Sequence, residues 1–404
     1  MILALSGGSR YIDEMSEGFP AFRRITFGLG AVFALSAVPV AAGTLVKGSS
    51  GGRTTPAAEA RDIASNFDVS TTLKRSWGTG HVAAENSQDI VGAFRFICGA
   101  GQVSYDDPIV YPGQPGKSHL HQFYGNTLAD ANSTFASLRA SGDSTCNNIG
   151  NGTAANRSAY WMPAMLDGKG HVVVPDYVQV YYKREPDNSP ACDPGSPKRY
   201  GICIGIPNGI KFISGFDMAA GTAGGSKGSF KCIAANGSAP LTRDQPNMAG
   251  LEAKCVAGGF LEMTMHSGRC WNGQLDSPDH RSHVLKLLRN GGMKGCPKTH
   301  PYYMPQFTIS SFYRIQAGDD LSLWSLSSDA MYPNLPKGST SHFDYFEAWD
   351  NSVKNMWVDN CIGRKLNCSG GDLGNGKQLK GAAKPKYGWK NPDRLVPIPQ
   401  GGMM

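Results

Sequence analysis

Glycine and proline constrain this chain more than any other residue types do. The sequence contains 51 glycines and 25 prolines in 404 residues. Glycine weakens helices and strands from within, and proline lacks the backbone N–H that both elements use. So many of these residues exclude long helices and favour short strands joined by structured loops. Aromatic residues make up 10% of the chain, which is enough to build a core around such strands.

Short segments between the Gly- and Pro-rich stretches show the alternation that is typical of strands. The clearest is YVQVYYKR at 177–184, which combines β-branched and aromatic residues. GAFRFICGA, GIKFISGF and YMPQFTISSFYRI have the same character, whereas the helix candidates STFASLRAS and DNSVKNMWVDNCI are short. These patterns predict a mainly β protein: a single sandwich or jelly-roll-like domain with long disulfide-pinned loops and a few short helices.

Composition divides the chain into four segments. Residues 1–42 are predicted to be an export signal, because Arg23 and Arg24 precede an apolar run that ends in small residues suited to cleavage after Ala42. Residues 43–89 are rich in Gly, Ser, Thr and Ala and are predicted to be a flexible lead-in. Residues 90–368 are predicted to form the β-rich domain. Residues 369–404 are predicted to be a basic, disordered tail, and deletion of Gly371–Met404 is expected to leave the fold nearly unchanged.

The export signal predicts a secreted or periplasmic protein. Its apolar run is too short for a bilayer, and no membrane span is expected after the signal is removed. The formal net charge is +7, and the segment from Gly371 onward contributes six basic and two acidic residues to it. A basic terminal tail favours contact with an anionic envelope or polysaccharide and disfavours nucleic acid as a partner. The oligomeric state is left open.

Cysteine usage indicates an oxidising compartment. All ten cysteines follow residue 42, their number is even, and no CxxC pair occurs. Disulfide bonds are therefore favoured and a zinc–thiolate site is disfavoured. Cys361 and Cys368 are close enough to close a small loop, whereas the spacing leaves the other pairings open.

Six of the nine histidines lie in four polar, turn-rich motifs. In KSHLHQFYGN at 117–126, His119 and His121 would point to the same face of an extended strand. The other motifs are CWNGQLDSPDHRSHV at 270–284, CPKTHPYYMPQ at 296–306 and SHFDYFEAWD at 341–350. If these loops meet at one end of a sandwich, they form a cleft rich in histidine and carboxylate groups.

These motifs together resemble an uncharacterised family of secreted fungal and bacterial proteins, described as a domain of unknown function. In fungi that domain often accompanies the carbohydrate-binding WSC domain. The likeness runs from about Phe94 to Cys361, and it implies an extracellular location and a link to carbohydrate but no established activity. In two places the chain departs from the family's usual residues, since Tyr105 replaces an arginine and Asn272 an aspartate. The positions that match are His119, His121, Asp276, His280, His283, His300, His342 and Asp344.

The first functional hypothesis is a secreted enzyme that cleaves an extracellular polysaccharide or cell-envelope glycan. Hydrolysis needs two carboxyl groups, whereas elimination uses a histidine or tyrosine base, and the many histidines favour proton transfer near neutral pH. The predicted catalytic residues are His119, His121, Asp276, His283, His342 and Asp344. The predicted substrate-binding residues are Tyr160, Trp161, Arg281, His300 and Trp349. Hydrolase and lyase chemistry both remain open.

Two other hypotheses fit the same motifs. In the second, the protein is a metalloprotein in which His119, His121 and His342 bind a divalent ion such as zinc or copper. In the third, it is a non-enzymatic polysaccharide- or wall-binding domain, which requires exposed aromatic rings and no histidines. A structural network of neutral histidines would also explain the spacing. Nucleotide chemistry lacks support, because no complete P-loop is present.

The first testable prediction is that the secreted protein has no free thiol. Its ten cysteines and oxidising compartment favour complete pairing. Thiol titration of unfolded, unreduced protein should detect no reactive cysteine. Reaction of two or more cysteines would contradict the prediction.

Overall fold

The segments with strand-like alternation form strands in the structure, which is a computed structural model. It describes residues 59–78, 80, 91–146, 154–222, 228–235, 237, 239–290, 293–381, 391 and 393–402. The predicted export signal, residues 1–42, lies outside the described residues, as does much of the predicted lead-in. By their contacts, all the described residues belong to one unit, residues 53–404.

Short strands dominate the described residues. In chain order they are β1 Leu73–Arg75, β2 Gly92–Cys98, β3 Val103–Ser104, β4 His121–Gly125, β5 Ala159–Pro163, β6 Met165–Leu166, β7 His171–Val173, β8 Tyr177–Arg184, β9 Ile202–Cys203, β10 Lys211–Gly215, β11 Ser229–Ile233, β12 Phe260–His266, β13 Cys270–Trp271, β14 Val284–Leu285, β15 Leu288–Asn290, β16 Met293–Gly295, β17 Tyr302–Tyr303, β18 Gln306–Arg314, β19 Ser325–Leu326, β20 His342–Phe346, β21 Asn367–Cys368, β22 Lys377–Leu379 and β23 Leu395–Pro397.

The helices are short, as the breaker content predicts. Helix α1 spans Phe135–Ala140 and α2 spans Asn351–Trp357, and both were predicted from sequence. Each begins at a capping side chain, because Thr134 accepts from the Ser137 N–H and Asp350 from the Val353 N–H. Single 3₁₀ turns span Val69–Thr72 and Ser327–Met331, and a π-helical turn over Val358–Ile362 follows α2.

Two sheets form the body of the protein. The five-stranded sheet has the order β10-β20-β5-β4-β3, and the six-stranded sheet has the order β11-β12-β18-β8-β2-β21. Within these two sheets, neighbouring strands are antiparallel except β2 and β21. Smaller sheets pair β14-β13-β17-β9, β19-β6-β7-β23, β1-β22 and β15-β16.

Aromatic rings join the inner faces of the two large sheets. Phe307 of the six-stranded sheet stacks on Tyr160 and Tyr345 of the other, with ring centroids 5.6 and 5.0 Å apart. The Tyr182 hydroxyl also donates to that of Tyr345 at 3.1 Å, so these two buried hydroxyl groups satisfy each other across the interface. The predicted mainly β, sandwich-like fold with a few short helices is therefore confirmed.

The five-stranded sheet is buried on its outer face as well. Every residue of β4, β5 and β20 is buried. Phe123, Trp161 and Phe346 point outward into a second apolar cluster, where Ile109 and Leu138 cover them. Strands that are buried on both faces leave no solvated side, so any polar residue in them must find a partner inside the protein.

All ten cysteines form disulfides, as predicted. The five bonds are Cys98–Cys146, Cys192–Cys203, Cys232–Cys255, Cys270–Cys296 and Cys361–Cys368. The last of these bonds closes the small loop that the short spacing between Cys361 and Cys368 suggested. Several of these bonds hold the long loops that connect the sheets, which gives those loops a fixed position on the body.

The predictions for the two segments that flank the domain, residues 43–89 and 369–404, require correction. Strand β1 lies in the predicted flexible lead-in and β22 in the predicted disordered tail, yet they pair with each other, and β23 pairs with β7. Leu373 and Leu379 are fully buried in the core. The predictions of flexibility and disorder are wrong for these strands, because a few apolar side chains and new backbone pairing fix segments whose composition alone looks unstructured.

Helices among the described residues fall short of a membrane span. None of them combines the length and the apolar character that crossing a bilayer requires.

The second testable prediction is that Leu379→Ala destabilises the protein. This side chain is fully buried on β22, and its truncation should cost about 2–5 kcal/mol. The matched control is Leu395→Ala on β23, whose side chain is 42% exposed and whose loss should cost less than about 0.5 kcal/mol. Urea denaturation compares the two variants, and equal midpoints would show that the C-terminal segment does not pack as described.

Candidate metal centre

Histidine residues on two separate strands meet on the outer face of the five-stranded sheet. His121 opens β4 and His342 opens β20, and β5 lies between these strands. The period of two puts His342 and Asp344 on the same face of β20. Register then places Asp344 opposite Trp161 and places Trp161 opposite Phe123. His119 precedes β4 and brings a third imidazole to the same place.

The three imidazole rings form a tight cluster. Ring centroids lie 4.2 Å apart for His119 and His121, 5.1 Å for His119 and His342, and 6.1 Å for His121 and His342. One ring nitrogen from each lies within 4.8 Å of the others. In the part of the chain that the structure describes, no other three His, Cys, Asp or Glu side chains offer such a group. The predicted convergence of these residues is therefore confirmed.

Backbone carbonyls fix the orientation of two of these rings. His121 Nδ1 lies 3.0 Å from the carbonyl oxygen of Asp106, and His342 Nδ1 lies 2.8 Å from that of Thr340. A carbonyl oxygen only accepts hydrogen bonds, so each Nδ1 carries the proton and donates it. Each Nε2 then keeps its lone pair free, which is the arrangement that orients histidine ligands in metal sites.

The loop before β4 holds one of these carbonyls in place. Asp107 is buried, and its Oδ1 accepts from the N–H groups of Ile109 and Val110 at 2.8 and 2.9 Å. This turn fixes the adjacent Asp106 carbonyl against His121. The Ser118 hydroxyl lies 3.3 Å from the same ring nitrogen and adds a second polar contact.

Burial keeps the three imidazoles neutral. Burial, with a smaller contribution from the nearby His121, lowers the pKa of His342 to about 3. Burial lowers the pKa of His119 well below its usual range, with His121 and His342 acting in the same direction. The pKa of His121 is also lowered by burial, although Asp107 opposes the change. Neutral imidazole is the form that binds a metal ion.

A buried carboxyl group stands beside the histidines. Asp344 is 1% exposed, neither of its oxygens accepts a hydrogen bond from the described residues, and Oδ2 lies 3.9 Å from His342 Nε2. Burial raises the pKa of this carboxyl well above its usual range, the charge of Asp107 adds to the effect, and Arg281 opposes it. The Nε2 atoms of His119 and His121 and the Nε1 of Trp161 are likewise buried without a partner among the described residues.

Other predicted site residues belong to a separate hydrogen-bond network. His283 is fully buried, and its two ring nitrogens contact the Ser277 hydroxyl at 2.8 Å and the Lys211 carbonyl at 2.9 Å. Asp276 binds His280 at 2.8 Å and Lys211 at 3.1 Å. Both nitrogens of His283 are thus used, so the predicted convergence of His283 with the cluster is not what the structure has.

Two more predicted residues stabilise loops near the cluster. His300 Nε2 lies 2.7 Å from the Ser282 carbonyl, which ties the 296–306 motif to the 270–284 motif. Arg281 donates to the carbonyls of Gly215 and Phe216 at 3.2 and 2.7 Å. Of the predicted substrate-binding residues, Arg281 is the one whose charge acts on Asp344.

The aromatic residues that were predicted to bind substrate lie in the core. Tyr160, Trp161 and Trp349 are 0–1% exposed, so their rings are closed to a sugar ligand. Tyr160 bonds to the Tyr182 hydroxyl at 3.1 Å between the sheets. Their prediction as substrate-binding residues is corrected for this reason: the same aromatic types serve core packing here.

Sequence reasoning missed the backbone part of the site. The carbonyls of Asp106 and Thr340 set the ring orientations, and no side-chain pattern marks a carbonyl for that role. The unpaired indole N–H of Trp161 depends on the register of β5 against β20, which is a tertiary property.

Comparison with known proteins identifies the region that carries the site. A family model described as a domain of unknown function, DUF1996, matches residues 107–349, more than half of the chain. The matched range contains all three clustered histidines and Asp344. A search of curated proteins and a search of solved structures each found no match.

Proposed function

This chain belongs to the DUF1996 family, a domain of unknown function, and within that family we propose that it is a metalloprotein that binds one divalent transition-metal ion through His119, His121 and His342. The observation that carries the proposal is the convergence of three neutral imidazole nitrogens within 4.8 Å. Two nitrogens that bind one zinc ion at ~2.0–2.1 Å lie no more than about 4 Å apart, so small rotations of the rings complete the site.

The donor atoms available at the site favour zinc or copper as the bound ion. All ten cysteines are in disulfides, so thiolate ligands are absent and the donors are imidazole nitrogens and carboxylate oxygens. Imidazole ligands suit zinc and copper, whereas magnesium and calcium prefer oxygen. The two rings whose Nδ1 atoms donate to carbonyls present Nε2 to the ion. Three protein ligands leave a position for water or substrate, as catalytic zinc sites do.

Asp344 adds a second reason to expect a cation. A buried carboxyl without hydrogen bonds is unfavourable as an anion unless a positive charge lies close to it. An ion held by His342 would stabilise the carboxylate from its neighbouring position. Asp344 would then accept a hydrogen bond from a water molecule on the ion.

The third testable prediction is that His121→Ala and His342→Ala each abolish metal uptake. Metal-free protein is titrated with Zn²⁺ and with Cu²⁺ by calorimetry, and bound metal is counted by mass spectrometry after desalting. Wild-type protein should bind one equivalent of at least one ion.

Two histidine variants serve as controls. His283→Ala removes a histidine that is equally buried but lies outside the cluster, and His171→Ala removes one on the surface whose side chain is 42% exposed. Both should retain the metal. If wild-type protein takes up neither ion, or if His342→Ala still binds one equivalent, the metal-centre proposal is wrong.

Cleavage of an extracellular polysaccharide is the second candidate function, and Asp344 is the observation that favours it. A buried carboxyl with a raised pKa is suited to give or take a proton during hydrolysis or elimination. Five disulfides fit the oxidising compartment in which such an enzyme would act, and secretion is part of this proposal. A wall-binding domain has less support, because the predicted aromatic platforms are buried.

The fourth testable prediction is that Asp344→Asn lowers polysaccharide cleavage by about 10²–10⁴-fold while metal uptake persists. The assay is release of reducing ends or of unsaturated uronate from a panel of cell-envelope glycans. Asp320→Asn, at an exposed carboxylate, is the matched control and should keep full activity. Equal activity of Asp344→Asn and wild type, or no cleavage of any glycan by the wild type, would contradict this function.

A further inference from the structure

Three polar side chains of different chemistry are buried together beyond the end of β20. Glu347 is 0% exposed, Lys354 is 3% exposed and Asn208 is 4% exposed. Lysine is among the residues least often buried, because removing its charge from water is costly unless a partner compensates. The metal-centre proposal does not use any of the three.

The Lys354 amine contacts both the Glu347 carboxylate and the Asn208 side-chain amide. Lys354 Nζ donates to Glu347 Oε1 at 3.0 Å and also contacts Asn208 Oδ1. The amine therefore lies next to the amide carbonyl of Asn208, with the carboxylate of Glu347 on the same nitrogen. An amine held against an amide carbonyl, with a proton acceptor on the same nitrogen, supplies the reactants and the base of an amide-exchange reaction.

The backbone holds each of the three groups in position. The Gly209 N–H donates to Glu347 Oε2 at 2.7 Å, which fastens the carboxylate to the turn that carries Asn208. The backbone carbonyl of Asn208 accepts a hydrogen bond from the Ala60 N–H at 3.1 Å. Lys354 lies in the second turn of α2, where its N–H donates to the Asp350 carbonyl at 2.8 Å. Both reacting side chains thus extend from fixed elements.

Apolar residues close to the three along the chain are buried as well. Ile210, Trp349 and Val353 are each 0–1% exposed and belong to the main core cluster. Exclusion of water strengthens the charge interactions of Glu347 and Lys354 and prevents hydrolysis from competing.

From this juxtaposition we propose that Lys354 and Asn208 form an intramolecular isopeptide bond, promoted by Glu347. Glu347 takes one proton from the Lys354 ammonium group, and the free amine attacks Cγ of Asn208. The Nζ–Cγ bond forms and the Cγ–Nδ2 bond breaks. Nδ2 takes the second proton of the amine and leaves as ammonia, and the proton held by Glu347 goes with it to give ammonium. No oxidant or cofactor takes part.

A competing loss of ammonia is possible at the same asparagine. Asn208 precedes Gly209, and in such a pair the glycine backbone nitrogen can attack the side-chain amide to give a cyclic imide. Here the Gly209 N–H is already engaged by Glu347 Oε2, which opposes that attack. The two products have the same mass, so the linkage itself must be identified.

The isopeptide bond would close a long loop. Asn208 and Lys354 are 146 residues apart, and strand β20, which carries His342 and Asp344, lies within that loop. A covalent link across so many residues restricts the unfolded chain strongly. It would therefore anchor the end of the strand that bears the candidate metal ligands.

The fifth testable prediction is a branched peptide in the full-length, folded protein. After reduction, alkylation and trypsin digestion, tandem mass spectrometry should find residues 200–211 joined to residues 338–364, at the summed mass less one ammonia. Trypsin should leave the Lys354 bond uncut, because an acylated lysine is not a substrate. Glu347→Gln keeps the shape of the side chain but removes the proton acceptor, and its digest should lose the branched peptide.

Two results would contradict the proposed isopeptide bond. One is a linear peptide 200–211 at its full sequence mass together with cleavage after Lys354. The other is a linear peptide 200–211 that is one ammonia lighter, again with cleavage after Lys354, which identifies the cyclic imide. Because the wild-type digest alone separates these outcomes, the test does not depend on the variant's folding. Metal uptake is a different measurement, so failure of the metal-centre proposal leaves this result intact.

Discussion

Burial of strand β20 on both of its faces is the constraint on which the rest of the structure depends. Its inner side chains, Phe343 and Tyr345, pack on Phe307 across the sandwich. Its outer side chains, His342 and Asp344, lie under the loops that cover the five-stranded sheet. A strand in this position has no contact with bulk water, so each polar group on it must be satisfied by the protein or by a ligand.

The polar groups of this strand are satisfied to different degrees. His342 Nδ1 bonds to the Thr340 carbonyl. Glu347, the residue that follows the strand, accepts from two backbone N–H groups and from Lys354. The carboxyl of Asp344, in contrast, accepts no hydrogen bond from the described residues. Glu347 is thus satisfied by groups of the protein, whereas under the metal-centre proposal a bound cation would satisfy Asp344. The metal-centre and isopeptide proposals therefore concern the two ends of this strand: His342 begins it, and Glu347 directly follows it.

Burial explains why three histidines can lie so close together. Three imidazoles at 4.2–6.1 Å between ring centroids would repel one another if they were protonated, and burial lowers each pKa so that they stay neutral. The disulfides and the loop hydrogen bonds of Asp107 and His300 keep the covering loops in place. Rigid surroundings of this kind are what a preformed ligand site needs, since its geometry is set before the ligand arrives.

The sequence by itself determined the class of fold and half of the candidate site. Its glycine and proline content limited the helices to short ones, and its even cysteine count predicted complete pairing. The spacing of His119 and His121 put two imidazoles on one face, because alternation in a strand is a local property. The sequence offered both His342 and His283 as partners for them. The tertiary structure decided that His342 joins the cluster and His283 does not, since that depends on which strands become neighbours. It also decided that Leu379 is buried and that Tyr160 and Trp349 are closed to sugars, because burial is a property of the packed chain and composition cannot specify it.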